Sequence, residues 1–116
     1  MHAWTKRFEA PDEHRGFSKG SFDVVRLEGI TCGRARYEPG WVWSRDVGAA
    51  QGASLCHVGH AGMVLQGRAG VRMIDGTEIE MKAGDLFSIE GPHDSWVIGD
   101  EPYVSLHFLG ATEYAA

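Results

Sequence analysis

The stretch that decides the fold is residues 63–81, with the sequence MVLQGRAGVRMIDGTEIEM. Short runs of alternating apolar and polar residues are separated here by Gly67 and by Asp75-Gly76. Alternation with a period of two is typical of β-strands that bury one face, and Asp-Gly is typical of a hairpin turn. This stretch therefore predicts consecutive antiparallel strands with one buried and one solvent-exposed face.

The register of the second hairpin in this stretch follows from the need to bury apolar side chains together. A three-residue loop, residues 75–77, pairs Met73 with Ile79 on one face and Arg72 with Glu80 on the other. A two-residue loop would mix apolar and charged side chains on both faces. We therefore predict the longer loop.

The same pattern extends over most of the chain. Glycine accounts for 16 of 116 residues, about twice its usual share of roughly 7%, which favours many tight turns. No stretch of ten residues has helical periodicity, so we predict an all-β domain over residues 22–116 and an irregular N-terminal arm over residues 1–21. The other candidate strands are residues 22–28, 31–38, 54–58, 86–89, 95–98 and 103–108.

Composition excludes several classes of function. The net charge of −5 argues against nucleic-acid and anionic-membrane partners, which need a basic surface. No apolar run approaches the ~18 residues that span a bilayer, and the N-terminus lacks the apolar stretch of a signal peptide. We expect a cytoplasmic protein, in which Cys32 and Cys56 are free thiols or metal ligands rather than a disulfide.

Two motifs carry a family resemblance. The pattern Gly48-x5-Ser54-x-Cys56-x3-His60-x6-Gly67 has the spacing of the first cupin motif, and Gly84-Asp85-Leu86 resembles the start of the second. The block PHDSWVIGDEP, residues 92–102, is similar to one found in a bacterial branch of small single-domain cupins that also carries Cys-x3-His. The resemblance covers roughly residues 36–109.

This resemblance implies an antiparallel jelly-roll β-barrel, often dimeric, with a metal or ligand pocket at one end. Cupin metal ligands occupy four motif positions, and this chain departs from the pattern at each of them. Ser54 and Cys56 replace the two histidines of the first motif, His60 replaces its glutamate, and Ser95 replaces the histidine of the second. His93 lies two residues before that last position, with the same strand parity.

Cys56, His60 and His93 therefore form a candidate three-ligand metal site with one open position. Thiolate and imidazole ligands favour Zn²⁺ over Mg²⁺ or Mn²⁺, and Fe²⁺, Ni²⁺ or copper are the alternatives. The competing interpretation is a polar pocket without metal. A buried cysteine often behaves as a small hydrophobic residue, and a pocket histidine is often only hydrogen-bonded.

Other side chains are assigned by strand parity and chemistry. Trp96 is out of phase with His93 and should face away from the cavity, and His57 should point opposite to Cys56. His107 alternates with an apolar set on the last strand, so we expect it outside or at an interface, and a pocket ligand is the less favoured alternative. The candidate ligand-pocket residues are Trp43, Ser54, Ser95 and Arg36.

Three functions fit these observations. The first is a cupin barrel that binds a divalent metal and a small molecule; if it is an enzyme, the metal acts as Lewis acid or activates water, and Glu90 and Asp94 are the nearest candidate bases. The second is a non-catalytic metabolite- or metal-sensing module that acts as a homodimer. The third is a barrel used only for assembly. Fold alone does not choose among them.

Overall fold

The computed structural model describes residues 1–116. It contains nine strands and one short helical segment, which runs as a π-helical turn over Ser44–Gly48 and continues over Ala49–Gln51. The strands, numbered in chain order, are β1 (Glu13–Phe17), β2 (Gly20–Leu27), β3 (Ile30–Tyr37), β4 (His60–Gln66), β5 (Arg68–Met73), β6 (Glu78–Lys82), β7 (Leu86–Ile89), β8 (His93–Ile98) and β9 (Tyr103–Leu109).

The strands form two antiparallel sheets that enclose one core. The larger sheet has the order β1-β2-β3-β9-β4-β7, and the smaller has the order β6-β5-β8. Phe22, Val64 and Val71 are fully buried between them. Nine strands in two antiparallel sheets confirm the all-β prediction. The inward side chains of the two sheets, at alternate strand positions, form the core between them.

The β5–β6 hairpin has a different register from the predicted one. Val71 pairs with Ile79 and Arg72 pairs with Glu78, two residues away from the prediction. Residues 74–76 form the loop, in which Gly76 has φ +91° and its N–H donates to the Met73 carbonyl oxygen. Glycine in this left-handed position closes a three-residue hairpin loop. The predicted loop (75–77) and the observed loop (74–76) bury the same strand faces, so the geometry of the turn decided between the two registers.

The N-terminal arm is not irregular throughout. Residues 13–17 form β1, which pairs antiparallel with β2, where irregular backbone is predicted. Edge pairing compensates for the weak periodicity of these residues, since β1 needs only one neighbouring strand. Residues 54–58 form no full strand and pair only through an isolated bridge at Cys56.

The last strand, β9, presents the opposite face to the one expected. Tyr103, Ser105 and His107 point inwards and are buried, and Phe108 is exposed. The prediction that His107 lies outside is therefore wrong. Both faces of β9 carry residues that can be buried, so its local pattern could not determine which side meets the core.

None of the helical segments has the length and apolar character needed to cross a membrane.

Candidate metal centre

Two of the three predicted ligands are held together by the backbone. Cys56 and His93 lie opposite each other in an isolated antiparallel bridge. The Cys56 N–H donates to the His93 carbonyl oxygen at 2.7 Å, and the His93 N–H donates to the Cys56 carbonyl oxygen at 3.1 Å. Opposed residues of such a pair project their side chains to the same side, so both point into the barrel.

The third predicted ligand, His60, starts β4 and faces the same space. Its Nε2 lies 3.5 Å from Cys56 Sγ, and its ring centroid lies 5.3 Å from that of His93. One ligand atom from each of Cys56, His60 and His93 lies within 4.8 Å of the other two. All three side chains are buried, so the structure brings together the residues that the sequence singled out.

Burial keeps these groups uncharged. It lowers the pKa of His60 to about 4, with a smaller contribution from nearby His93. Desolvation also lowers the pKa of His93 and raises the pKa of the Cys56 thiol to about 11. Neutral imidazole is the form that binds metal, whereas the thiol must lose its proton to bind.

The orientation of the His93 ring is fixed by the backbone. Its Nδ1 lies 2.9 Å from the Gly91 carbonyl oxygen, which can only accept, so Nδ1 carries the proton. The lone pair is then on Nε2. Histidines that ligate metals commonly donate their other ring nitrogen to a carbonyl or carboxylate in this way, which fixes the tautomer.

Sequence reasoning missed His107 as part of this cluster. Its ring centroid lies 5.3 Å from that of His60, and its Nε2 lies 3.1 Å from Ser105 Oγ. Burial lowers the pKa of His107 to about 3. The Nδ1 atoms of His60 and His107 are both buried without a hydrogen-bond partner. Only the polar inner face of β9 could have signalled this placement.

The histidines border a small pocket of about 30 Å³. That volume holds one or two water molecules or one ion. Aromatic side chains contribute much of the wall, and Ser95 is the one predicted pocket residue that reaches it. The full lining is Tyr37, Trp41, His60, Ala69, Val71, Met81, Phe87, Ile89, His93, Ser95, Tyr103, His107 and Tyr114.

The other three candidate pocket residues lie elsewhere, which corrects the prediction. Trp43 is buried in the core, where Trp41 takes the place beside the cavity. Ser54 is exposed, because it lies in a bend before the Cys56 bridge and is not part of a strand. Arg36 lies on the outer face of β3 and pairs with Glu38, since odd and even positions of β3 face opposite sides.

The two candidate bases do not face the cavity. Asp94 accepts hydrogen bonds from the Ser44 N–H at 2.9 Å and from Ser44 Oγ at 2.8 Å. It therefore connects β8 to the helical segment that starts at Ser44. Glu90 is exposed. As expected, His57 is exposed, and Trp96 is absent from the cavity wall and packs against Arg72.

Comparison with known proteins identifies relatives by structure alone. No family model and no curated protein matches the chain. A structure of unknown function from Rhizobium leguminosarum matches with a TM-score of 0.65 and 19% identity, covering 94% of this chain and 98% of that one. A DUF1255 protein of unknown function from Acidithiobacillus ferrooxidans gives 0.60 and 22%, covering 84% and 86%.

A mutant of Bacillus subtilis oxalate decarboxylase also matches, with a TM-score of 0.58 and 20% identity. The match covers 84% of this chain and 27% of that larger protein. A Klebsiella pneumoniae protein described by its double-stranded β-helix domain matches with a TM-score of 0.58 and 16% identity, covering 83% and 80%. The chain therefore has the cupin-type double-stranded β-helix fold, and its buried Cys56, His60 and His93 form a group that could hold a metal ion.

Proposed function

We propose that this protein binds one divalent metal ion, preferentially Zn²⁺, through Cys56 Sγ, His60 Nε2 and His93 Nε2. The observation that carries the proposal is the convergence of these three buried atoms to within 4.8 Å of one another. A metal would convert the weak contact between Cys56 and His60 into two strong bonds.

The existing separation of two ligand atoms suits zinc. With a Zn–S bond of about 2.3 Å and a Zn–N bond of about 2.05 Å, tetrahedral geometry places sulfur and nitrogen about 3.5 Å apart. Cys56 Sγ and His60 Nε2 are already 3.5 Å apart. His93 then needs to approach by up to about 1.5 Å, so its side chain must move when the ion binds. The thiolate ligand favours Zn²⁺ over Fe²⁺ or Ni²⁺ and disfavours Mg²⁺.

The fourth position of a tetrahedral ion held this way would be free of protein ligands. Such an open position supplies Lewis-acid chemistry or a bound water of lowered pKa. The cavity beside it is small and mostly apolar, and neither Asp94 nor Glu90 faces it. A small molecule that joins the metal must therefore be about the size of one or two waters, unless part of the wall moves.

The second candidate is a non-catalytic metal- or metabolite-sensing module. The pocket volume of about 30 Å³ favours the metal-sensing form of this candidate, since it leaves no room for an organic molecule beside the ligands. Turnover after metal loading distinguishes an enzyme from a sensor, for which metal causes only a stability change. The sensor would act through a homodimer, which stays a prediction.

Elemental analysis of untagged protein purified without chelator tests the metal site. The Cys56→Ser variant removes the thiolate, and Cys32→Ser is the matched control because Cys32 lies on β3 outside the cluster. We expect near-stoichiometric zinc in the wild type and in Cys32→Ser, and strong loss in Cys56→Ser. Cobalt-loaded protein should show thiolate-to-cobalt charge transfer and tetrahedral d–d bands. Wild-type protein that takes up neither zinc nor cobalt would overturn the proposal.

A further inference from the structure

The C-terminal residues 110–116 fold over the histidine cluster as a series of turns. Tyr114 carries the contact: its side chain is 3% exposed, and its ring centroid lies 5.0 Å from His60 and 5.9 Å from His107. It belongs to the wall of the pocket that His60 and His93 also line. The space beside His60 is therefore filled by an aromatic ring from the end of the chain.

This segment is attached differently from the rest of the barrel. It has no strand pairing, and its backbone carbonyl groups are held to the barrel by Arg15, on β1. Arg15 Nη1 donates to the carbonyl oxygens of Ala111 and Tyr114 at 2.9 and 2.7 Å, and Nη2 donates to that of Thr112 at 3.0 Å. One guanidinium thus holds three carbonyl groups, so the segment can leave as a unit without breaking a sheet.

The place that Tyr114 occupies has the features of a binding site for a phenol. Its Oη lies 2.7 Å from the Oη of Tyr37, which is itself buried. Its ring packs edge-on against His60 and tilted against Phe22, at 4.8 Å from the latter. Trp41 in the same wall has a buried indole N–H without a hydrogen-bond partner. A planar ring with a hydroxyl group matches the aromatic surroundings and the Tyr37 hydroxyl, and the Trp41 N–H remains available to a further acceptor on the ligand.

We propose that residues 110–116 are an autoinhibitory plug, in which the Tyr114 phenol occupies the organic-ligand subsite, and that the protein's ligand is a small planar phenolic molecule that displaces it. The small pocket volume of about 30 Å³ then describes the plugged state. Withdrawal of a tyrosine ring opens room for a benzene-sized molecule. The inference deepens the proposed function, because the displaced ring lies directly against the metal ligand His60.

The plug makes a quantitative prediction about affinity. If only a small fraction of molecules is open, the apparent Kd of a ligand is the intrinsic Kd divided by that fraction. Loosening the tether must therefore tighten ligand binding without touching the pocket wall. If the role of Tyr114 is purely structural, a weaker tether lowers the stability of the fold and does not tighten ligand binding.

The test uses 4-methylphenol, which reproduces the tyrosine side chain, and measures its Kd by calorimetry. Arg15→Met removes the three hydrogen bonds to the plug. Arg26→Met is the matched control, because Arg26 also pairs with Glu13 yet makes no bond to residues 110–116. We expect Arg15→Met to bind at least about ten-fold more tightly than Arg26→Met and the wild type. Equal affinity in the two variants would overturn the plug.

Two further measurements define the ligand class and do not depend on Arg15→Met folding. Toluene lacks the oxygen that Tyr37 requires, so Tyr114→Ala should bind it about ten-fold more weakly than 4-methylphenol; no binding of 4-methylphenol by this variant would overturn the proposed ligand. In wild-type protein, saturating 4-methylphenol should accelerate amide exchange in residues 111–116. Unchanged or slower exchange there would overturn displacement.

All titrations are run on chelator-treated and zinc-loaded protein so that the two proposals separate. Binding of 4-methylphenol without any zinc uptake would overturn the metal site and leave the plug standing. Zinc uptake with no effect of Arg15→Met on 4-methylphenol affinity would overturn the plug and leave the metal site standing.

Discussion

Cys56 and His93 exchange two backbone hydrogen bonds, at 2.7 and 3.1 Å, in a bridge that belongs to no continuous ladder. The bridge ties residues 54–58 to the start of β8 and sets the separation of two candidate metal ligands through the backbone. The bridge thus fixes the backbone positions of both residues before any metal binds, and only their side chains need to adjust. His60, at the start of β4, supplies the third side chain from a separate strand.

Replacement of His93 should remove a metal ligand without disrupting the fold. We expect His93→Ala to weaken zinc binding by at least about 100-fold, more than the 10- to 100-fold that loss of an outer-shell partner costs. His57→Ala is the control, because His57 is exposed beside Cys56. The measurement is competition with a chromophoric zinc chelator. Equal zinc affinity in the two variants would contradict the assignment of His93.

Acid should destabilise the metal-free protein through His107. Burial lowers its pKa to about 3 in the folded chain, against an ordinary value of 6.5. Below pH 6.5 His107 therefore binds a proton in the unfolded chain and stays neutral in the folded chain. Its contribution to the free energy of unfolding is fully present above pH 6.5 and is lost as the pH falls. Between pH 7 and pH 5 the loss amounts to about 2 kcal/mol for one such histidine.

The His107→Phe variant checks this pH dependence. His60, Ser105, Tyr114, Phe22 and Phe87 surround the imidazole, and none of them carries a negative charge. Urea unfolding of chelator-treated protein at both pH values should show a smaller decrease in the variant, by the same amount. The result would speak against the buried, neutral state if the variant and wild type lost equal stability.

Gly62 should tolerate no side chain. A Cβ atom there would lie 1.9 Å from the Leu106 carbonyl oxygen, which is backbone of the neighbouring strand β9. We expect Gly62→Ala to lower the free energy of unfolding by about 3 kcal/mol or more. Gly16→Ala, whose Cβ would approach only His14 Nε2 at 3.7 Å, is the control and should change stability little. Comparable thermal unfolding of both variants would be the contrary result.

The homodimer should form through the outer face of the larger sheet. Leu86 on the edge strand β7 is 76% exposed, and Phe108 and Leu109 on β9 are exposed as well. An open edge with exposed apolar side chains is a site where a second copy can pair. By light scattering at micromolar concentration, Leu86→Glu should be monomeric, whereas Ile74→Glu at the β5–β6 loop should remain dimeric. A monomeric wild type would remove this prediction.

Local periodicity explains which parts of the fold could be predicted. Apart from residues 54–58, the strand positions from residue 22 onwards, the all-β class and the outward face of Trp96 follow from alternation with a period of two, which is a property of the backbone itself. The β5–β6 register could not follow from alternation, because a two-residue shift keeps every side chain on its face. The left-handed Gly76 decided between the two.

The sequence by itself determined the chemistry available to this protein: one cysteine and two histidines in a cupin-like frame, on an acidic all-β chain. Only the tertiary structure decided that these three side chains meet and that His107 and Tyr114 pack against His60. The reason is physical. Periodicity is local, whereas the inward face of β9 and the path of residues 110–116 depend on packing between segments far apart in the chain, and both faces of β9 carry residues that can be buried.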